Sequence, residues 1–207
     1  MTKVIQGIET ILSGKFGDKV YVQRYGKTYV RSAPKRRKDS STPAMLLNQK
    51  RFKEVMSFCG RFKNVLIPQV WNLAAVNTSG FRLFQKANSP AFAKDGSLMD
   101  PKLIKLSTGK LTLPKGFTAA RAHAGSSLIE VSWEKDLHLG GIDLQDELMA
   151  ISAGEGQYSG ILETGIVRNA LHGSFELPVL PVSATHIYLF FGAKDKRDYS
   201  ESVCVDL

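Results

Sequence analysis

The sequence predicts an α+β N-terminal module, made of a β-hairpin and helices, followed by an all-β sandwich. Two observations predict this order. Apolar residues recur at helical spacing in the first half, whereas short strand-like runs separated by turns fill the second half. The charge balance also reverses: residues 1–110 hold 21 Lys+Arg against 6 Asp+Glu, and residues 111–207 hold 7 against 13. We therefore expect two domains, at residues 1–110 and 111–207.

Two short runs at residues 18–24 and 27–32 predict the hairpin. Both runs are rich in β-branched and aromatic residues, which favour strands. Between them lies Tyr25-Gly26, where the glycine can supply the positive φ of a tight turn. Because side chains alternate along a strand, Val20 and Val22 are expected to share one face.

A basic loop follows the hairpin. Residues 35–38 are four consecutive Lys or Arg residues, and prolines at positions 34 and 43 flank the segment. Like charges repel one another and the segment has nothing apolar to pack, so we expect a solvated loop.

Two helices are expected after the loop. Thr42 is a suitable N-cap, and Pro43 suits the first helical position. The residues expected on the apolar face of this helix are Met45, Phe52, Val55, Met56, Cys59 and Phe62. Pro68 should kink or end the helix. A second, shorter helix is expected to begin near Thr78-Ser79 and to close at residues 88–90.

Seven or eight strand-like runs then follow in under about one hundred residues, which is the spacing of a β-sandwich. The runs are residues 117–123, 127–133, 147–152, 158–163, 166–169, 174–177, 186–192 and 200–207. Strict alternation in the second run places Ile129, Val131 and Trp133 inward.

The second half resembles a fibronectin type III domain. The sequence SLIEVSW at residues 127–133 is similar to the family's second strand, which ends in a core tryptophan. LPVLPVSATHIYL at residues 177–189 resembles the leucine–proline approach to its sixth strand, and YSES at residues 199–202 resembles the entry into its last strand. His186 lies near the expected tyrosine corner, and Tyr188 is the nearest candidate for that role. The resemblance implies an immunoglobulin-like sandwich that acts as a protein-interaction or spacer module.

The whole chain also resembles a bacterial family of uncharacterised function. The segments that carry the likeness are GKFG at residues 14–17, GKTYVRSAP at residues 26–34, and TP at residues 42–43 followed by QKRF at residues 49–52. The resemblance implies a bacterial origin and contributes no mechanism.

Composition argues against membrane and secreted classes. The longest apolar stretches, such as residues 187–191, have the length of a strand and cannot cross a bilayer. The first residues lack the apolar core of a signal peptide, so we expect a cytoplasmic protein. Cys59 and Cys204 lie far apart in sequence and are expected to be reduced thiols.

No catalytic template fits the sequence. GEGQYSG at residues 154–160 departs from a dinucleotide glycine motif in its third glycine, and we interpret it as a turn between strands. The histidines, at positions 123, 138, 172 and 186, share no metal-binding spacing. The acidic cluster Asp143, Asp146 and Glu147 is interpreted as a solvated turn. We therefore expect no catalytic residues, no metal site and no cofactor.

The strongest candidate site is a set of basic residues interleaved with tyrosines in the hairpin and its exit loop. Its members are Arg24, Lys27, Arg31, Lys35, Arg36, Arg37 and Lys38, together with Tyr25 and Tyr29. Basic side chains neutralise phosphates and exposed aromatic rings stack on bases, so the set suits nucleic acid or another polyanion. In the alternative interpretation the tyrosines are ordinary strand residues that pack on the helix, and the loop only raises solubility.

Two functions remain open at this stage, and we weigh an enzyme with a site invisible in the sequence below both. The first is a non-enzymatic binding or scaffold protein, whose basic module engages the anionic partner while the sandwich mediates protein contacts or self-association. The second is a structural or assembly protein of a phage or mobile-element kind. Its acidic sandwich would meet the basic module of the next copy, head to tail.

Overall fold

The computed structural model describes residues 2–4, 13–35, 41–135, 143–177 and 182–207. The chain divides into two compact units, Met1–Pro43 and Ala44–Leu207. The strands of these ranges are β1 (Thr2–Val4), β2 (Gly14–Phe16), β3 (Lys19–Arg24), β4 (Lys27–Ser32), β5 (Thr118–Arg121), β6 (Leu128–Ser132), β7 (Glu147–Gly154), β8 (Gln157–Tyr158), β9 (Leu162–Val167), β10 (His172–Glu176), β11 (His186–Gly192) and β12 (Val203–Asp206). The helices are α1 (Pro43–Arg61), α2 (Asn72–Ala74) and α3 (Gly80–Asn88), with a π-helical turn at Ile67–Trp71.

The first unit contains an antiparallel sheet with the strand order β1-β4-β3-β2. The expected hairpin is confirmed, because β3 and β4 pair in register from Lys19 opposite Ser32 to Arg24 opposite Lys27. Both residues of the connecting turn have positive φ, 48° at Tyr25 and 71° at Gly26. Two successive positive φ values are typical of a type I′ turn, whose twist matches that of the paired strands.

The helices of the second unit begin where the sequence predicts them. Helix α1 begins at Pro43, and Ser79 caps α3 by accepting a hydrogen bond at 3.3 Å from the backbone N–H of Arg82. Helix α1 ends at Arg61, before Pro68, so this proline does not end the helix; it lies in the π-helical turn that follows. No helix of the described ranges combines the length and the apolar character needed to span a membrane.

The apolar face expected for α1 is buried only in its second half. Val55, Cys59 and Phe62 are buried, whereas Met45 and Phe52 are 48% and 57% exposed. Every residue from 43 to 50 is exposed, so the first two turns of the helix lie outside the core of the second unit. The apolar residues of the helix therefore extend beyond the part of it that packs on the core.

Two antiparallel sheets follow the helices, as the sequence predicts. One has the order β10-β6-β5. The other has the order β12-β11-β7-β8, with β9 also pairing with β7. Each of the eight strands overlaps or adjoins an expected run, and the two runs expected at residues 158–163 and 166–169 contribute to one strand, β9.

The central strands β7 and β11 are buried on both faces. On one face, Leu148 and Phe191 pack with the inward-facing Ile129 and Val131 of β6 and with Trp133, which directly follows that strand. On the other face, a second cluster joins the strands to the helices, and its members include Val55, Phe58, Trp71, Phe84, Met149, Ile151, Tyr188 and Phe190. The sheet is therefore the middle layer of three.

Hydrogen bonds tie the helical layer to the segment after it, and this segment to the sheet. The Trp71 indole N–H donates to the Leu106 carbonyl at 2.8 Å, and the Tyr188 hydroxyl donates to the Pro101 carbonyl at 2.9 Å. A tyrosine corner bonds to backbone only a few residues upstream, so Tyr188 does not fill that role.

The boundary between the two units follows Pro43, whereas the boundary expected from the sequence lay near Lys110. The change of charge and pattern near Lys110 is real, but it marks the change from the helical layer to the sheets within one unit. Helices and sheet share a single apolar cluster, which is the physical definition of one domain core.

We expect a fragment of residues 44–207 to fold and one of residues 111–207 to fail. Without the helices, Met149, Ile151, Tyr188 and Phe190 lose their cover, and burial of each such side chain contributes about 1.5–3 kcal/mol. Thermal unfolding followed by circular dichroism, together with binding of a hydrophobic dye, measures the difference. Cooperative unfolding of the shorter fragment at the temperature of the longer one would contradict the shared core.

Candidate functional site

The pairing register of the first sheet gathers cations on one face. Residues directly opposite each other on paired strands point to the same side. The register pairs Arg24 with Lys27, Val22 with Tyr29, and Val20 with Arg31. Strand β2 adds Lys15, which lies opposite Val20. We call this side the basic face, and its residues are Lys15, Val20, Val22, Arg24, Lys27, Tyr29 and Arg31.

The opposite face of the same sheet holds the two buried residues of the hairpin, while Lys19 and Gln23 on it are exposed. Tyr21 and Thr28 lie on it and are 6% and 5% exposed. Since the side-chain period of a strand is two, burial of these residues turns the four cations of the basic face outward. The alternation of side chains along β3 and β4 therefore determines which face of the sheet holds the cations.

The cations of the basic face are exposed, and the residues between them are half-buried. Lys15, Arg24, Lys27 and Arg31 are exposed, whereas Tyr29 is half-buried. Within the described ranges, no carboxylate forms an ion pair with any of these four cations. Their charge is therefore left to attract anions from solution.

The remaining predicted residues lie around this face or beyond the described ranges. Tyr25 is in the hairpin turn and is 61% exposed. Lys35 is exposed shortly after β4 ends. The predicted residues Arg36, Arg37 and Lys38 lie outside the described residues. The arrangement thus brings together Arg24, Lys27, Tyr29 and Arg31 out of the predicted set.

Sequence reasoning missed Lys15 as a member of the site. A strand of three residues, Gly14–Phe16, is too short for its alternation to be recognised. The signal that could have found it is the pair of glycines at the start of the strand and just after it, whose φ values are +111° at Gly14 and +59° at Gly17. Positive φ at both positions indicates turns on either side of a short extended run.

Within the acidic cluster at residues 143–147, Asp146 is buried in the core and is not part of the expected solvated turn. The Asp146 carboxylate lies 3.3 Å from the Arg168 guanidinium, with both side chains almost fully buried. The guanidinium also lies 4.3 Å from the centroid of the Phe191 ring. The Glu147 carboxylate accepts a hydrogen bond at 2.8 Å from the backbone N–H of Gly165. These two carboxylates therefore have structural partners.

A cleft of about 540 Å³ lies between the end of α1 and the turn after β7. This turn lies in the glycine-rich segment at residues 154–160, so its interpretation as a turn between strands is confirmed. The Arg61 guanidinium donates to the Gly156 carbonyl. The Ser159 hydroxyl accepts from the Ser152 N–H and donates to the Gly160 carbonyl. These polar groups of the cleft are engaged by backbone.

The two cysteines are poor nucleophiles at neutral pH. Both are free; Cys59 is fully buried and Cys204 is half-buried. Burial raises the pKa of each thiol to about 11, so the reactive thiolate is scarce near pH 7. Within the described ranges, no three His, Cys, Asp or Glu side chains are grouped closely enough to hold a metal ion.

We expect the free energy of unfolding to fall as the pH rises from about 9 to 11. Cys59 has an ordinary pKa of 9.0, and burial raises it to about 11. Over this range the unfolded chain releases the thiol proton while the folded chain keeps it, so a higher pH favours unfolding. This rise in pKa corresponds to a loss of roughly 2–3 kcal/mol in the free energy of unfolding. Burial also raises the pKa of Tyr188, which acts in the same direction.

Urea unfolding at a series of pH values measures this effect. The matched control is Cys59→Val, which keeps an apolar side chain and removes the ionisable group. The variant should lose less stability between pH 9 and 11 than the original chain. Parallel curves for the two proteins would mean that the buried thiol does not cause the effect.

The candidate site is assigned from the strand register and the exposure of its residues. The chain was also compared with models of known protein families, with curated proteins and with solved structures, and none of them matched.

Proposed function

We propose that this is a non-enzymatic binding protein that holds an anionic polymer on the basic face of its N-terminal sheet. The observation that carries the proposal is the strand register, which gathers Lys15, Arg24, Lys27 and Arg31 on one exposed side. A row of cations on a rigid sheet neutralises several anionic groups of one polymer at once, and each contact releases a counterion.

The distribution of charge between the two units supports this proposal. Residues 1–43 hold 10 Lys+Arg against 3 Asp+Glu, and residues 44–207 hold 18 against 16. The first unit therefore has a net charge of +7 and the much larger second unit only +2. A small unit with most of the net charge attracts polyanions over distances comparable with the Debye length.

The role proposed for the second unit is protein contact, as in a fibronectin type III module, through the outer face of the sheet β10-β6-β5, where Glu130 and Ser132 are exposed. The strand arrangement supports this proposal, because β5, β6 and β10 form one sheet while β7, β8, β11 and β12 belong to the other. The chain therefore passes from one sheet to the other and back, as it does in immunoglobulin-like sandwiches. Trp133 lies between the two sheets, where it stacks on Phe117 with ring centroids 5.6 Å apart.

A head-to-tail assembly protein is the second candidate. The excess of acidic residues after position 110 favours it, since 13 Asp+Glu there oppose only 7 Lys+Arg. The observation against it is the near balance of charge over the whole second unit, because the basic helices belong to that unit. Polymer binding is therefore the better supported of the two functions.

We expect a triple variant of the basic face to elute from a heparin column at lower salt than the original chain. The substitutions are Lys15→Ala, Lys27→Ala and Arg31→Ala, which remove three cations of one surface. The matched control is Lys63→Ala, Lys86→Ala and Lys94→Ala, which removes three exposed cations of the second unit. Because both variants lose the same net charge, a difference between them reports the location of binding.

Equal elution of the two triple variants would contradict the basic face as the binding surface. Light scattering after size exclusion at low and high salt tests the second candidate with the same proteins. Salt-sensitive oligomers of nuclease-treated protein would favour the assembly function, whereas a monomer at both salt concentrations would remove it.

A further inference from the structure

We propose that the polymer is single-stranded nucleic acid and that Tyr25 and Tyr29 stack on its bases. This inference rests on the proposed function, and it adds the class of polymer and the residues that select it. Cations alone bind any polyanion, so the aromatic rings of the hairpin are what would distinguish single-stranded nucleic acid from other polyanions.

Aromatic and cationic residues alternate along the hairpin from its tip. Tyr25 lies in the turn, Arg24 and Lys27 form the next pair, and Tyr29 comes after them opposite Val22. Arg31 and Val20 form the following pair. Successive pairs on one face are roughly 7 Å apart, because each residue of a strand rises about 3.3 Å. A single nucleic acid strand alternates in the same way between anionic phosphates and apolar base faces.

Tyr29 is a ring held in place. Val22 lies directly opposite it on the neighbouring strand, and both side chains are half-buried. Lys3 of β1 is the residue opposite Tyr29 on the other neighbouring strand. A partly buried ring loses little conformational freedom when a base stacks on its exposed part. Along the hairpin the ring has the Arg24–Lys27 pair on one side and Arg31 on the other, and these cations would hold the phosphates flanking the stacked base.

Tyr25 occupies a position whose backbone does not favour tyrosine. Its φ of 48° is in the left-handed region, where Asn and Gly are favoured in a two-residue hairpin turn. Its side chain is nevertheless a large ring that is 61% exposed. A residue that breaks a local rule at an exposed position indicates function, because its cost to folding has no compensation in packing.

A duplex offers these rings no partner. Its bases are paired and stacked inside, so a flat sheet face would contact its phosphates only, and those contacts are independent of the tyrosines. Single strands expose the faces of their bases, and stacking on aromatic side chains tolerates every base. The proposed preference is therefore for single strands over duplex, with little preference for base sequence.

Fluorescence anisotropy with a labelled single-stranded oligonucleotide, and with the duplex made from it, tests the inference. The decisive variant is Tyr25→Asn, which removes the ring and creates the Asn-Gly pair that type I′ turns favour. Because this change suits the fold, reduced binding by a folded variant reports the lost ring. We expect affinity for the single strand to fall roughly 5- to 150-fold and affinity for the duplex to stay unchanged.

Tyr29→Val and Tyr29→Phe form the second pair of variants. Valine keeps a good strand former and removes the ring, whereas phenylalanine keeps the ring and removes the hydroxyl. We expect the valine variant to lose single-strand affinity by a similar factor and the phenylalanine variant to keep it. Lys19→Ala is the control for charge, because Lys19 is exposed on the opposite face of β3.

The outcomes separate this inference from the function on which it rests. Equal affinity for single strand and duplex, with both tyrosine variants unaffected, would overturn the single-strand inference and leave polyanion binding intact. Absence of binding to either nucleic acid, while heparin retention still depends on the basic face, would also overturn the inference alone. Loss of the heparin effect as well would overturn both.

Discussion

The pairing of β7 with β11 is the interaction on which the second unit depends. Seven consecutive residue pairs, from Glu147 opposite Gly192 to Ala153 opposite His186, hold the two strands together. Alternate residues point to opposite sides, so the same pairing supplies Leu148 and Phe191 to one apolar cluster and Met149 and Phe190 to another. Helices cover one side and the sheet containing β6 covers the other, because neither face of such a pair is stable in water.

In this arrangement, several polar groups of the second unit are bound to partners within the fold. The Trp71 indole, the Tyr188 hydroxyl and the Asp146–Arg168 ion pair are all bound within the core or its edges. Buried polar groups need such partners, because a buried group without one costs about 1–3 kcal/mol. The exposed cations of the basic face, which form no ion pair among the described residues, belong instead to the small N-terminal unit, where we propose that binding takes place.

The hairpin and most strands were predictable because their signals are local. A turn dipeptide with positive φ sets the register of β3 and β4, and that register places Arg24, Lys27, Tyr29 and Arg31 on one face without reference to the rest of the chain. Much of the candidate site therefore followed from the sequence. Lys15 did not, because β2 has too few residues for their alternation to be recognised, and only its pairing with β3 shows which way Lys15 faces.

The sequence by itself determined the alternation of the hairpin, the position of the helices and the run of strands after residue 110. Only the tertiary structure decided that helices and strands form one unit and that Asp146 is buried against Arg168. The same holds for the exposure of Met45 and Phe52 on an otherwise buried face of α1. Periodicity reports which side of an element is apolar, but the partner that covers this side is far away in sequence. Its identity depends on long-range packing, which no local pattern encodes.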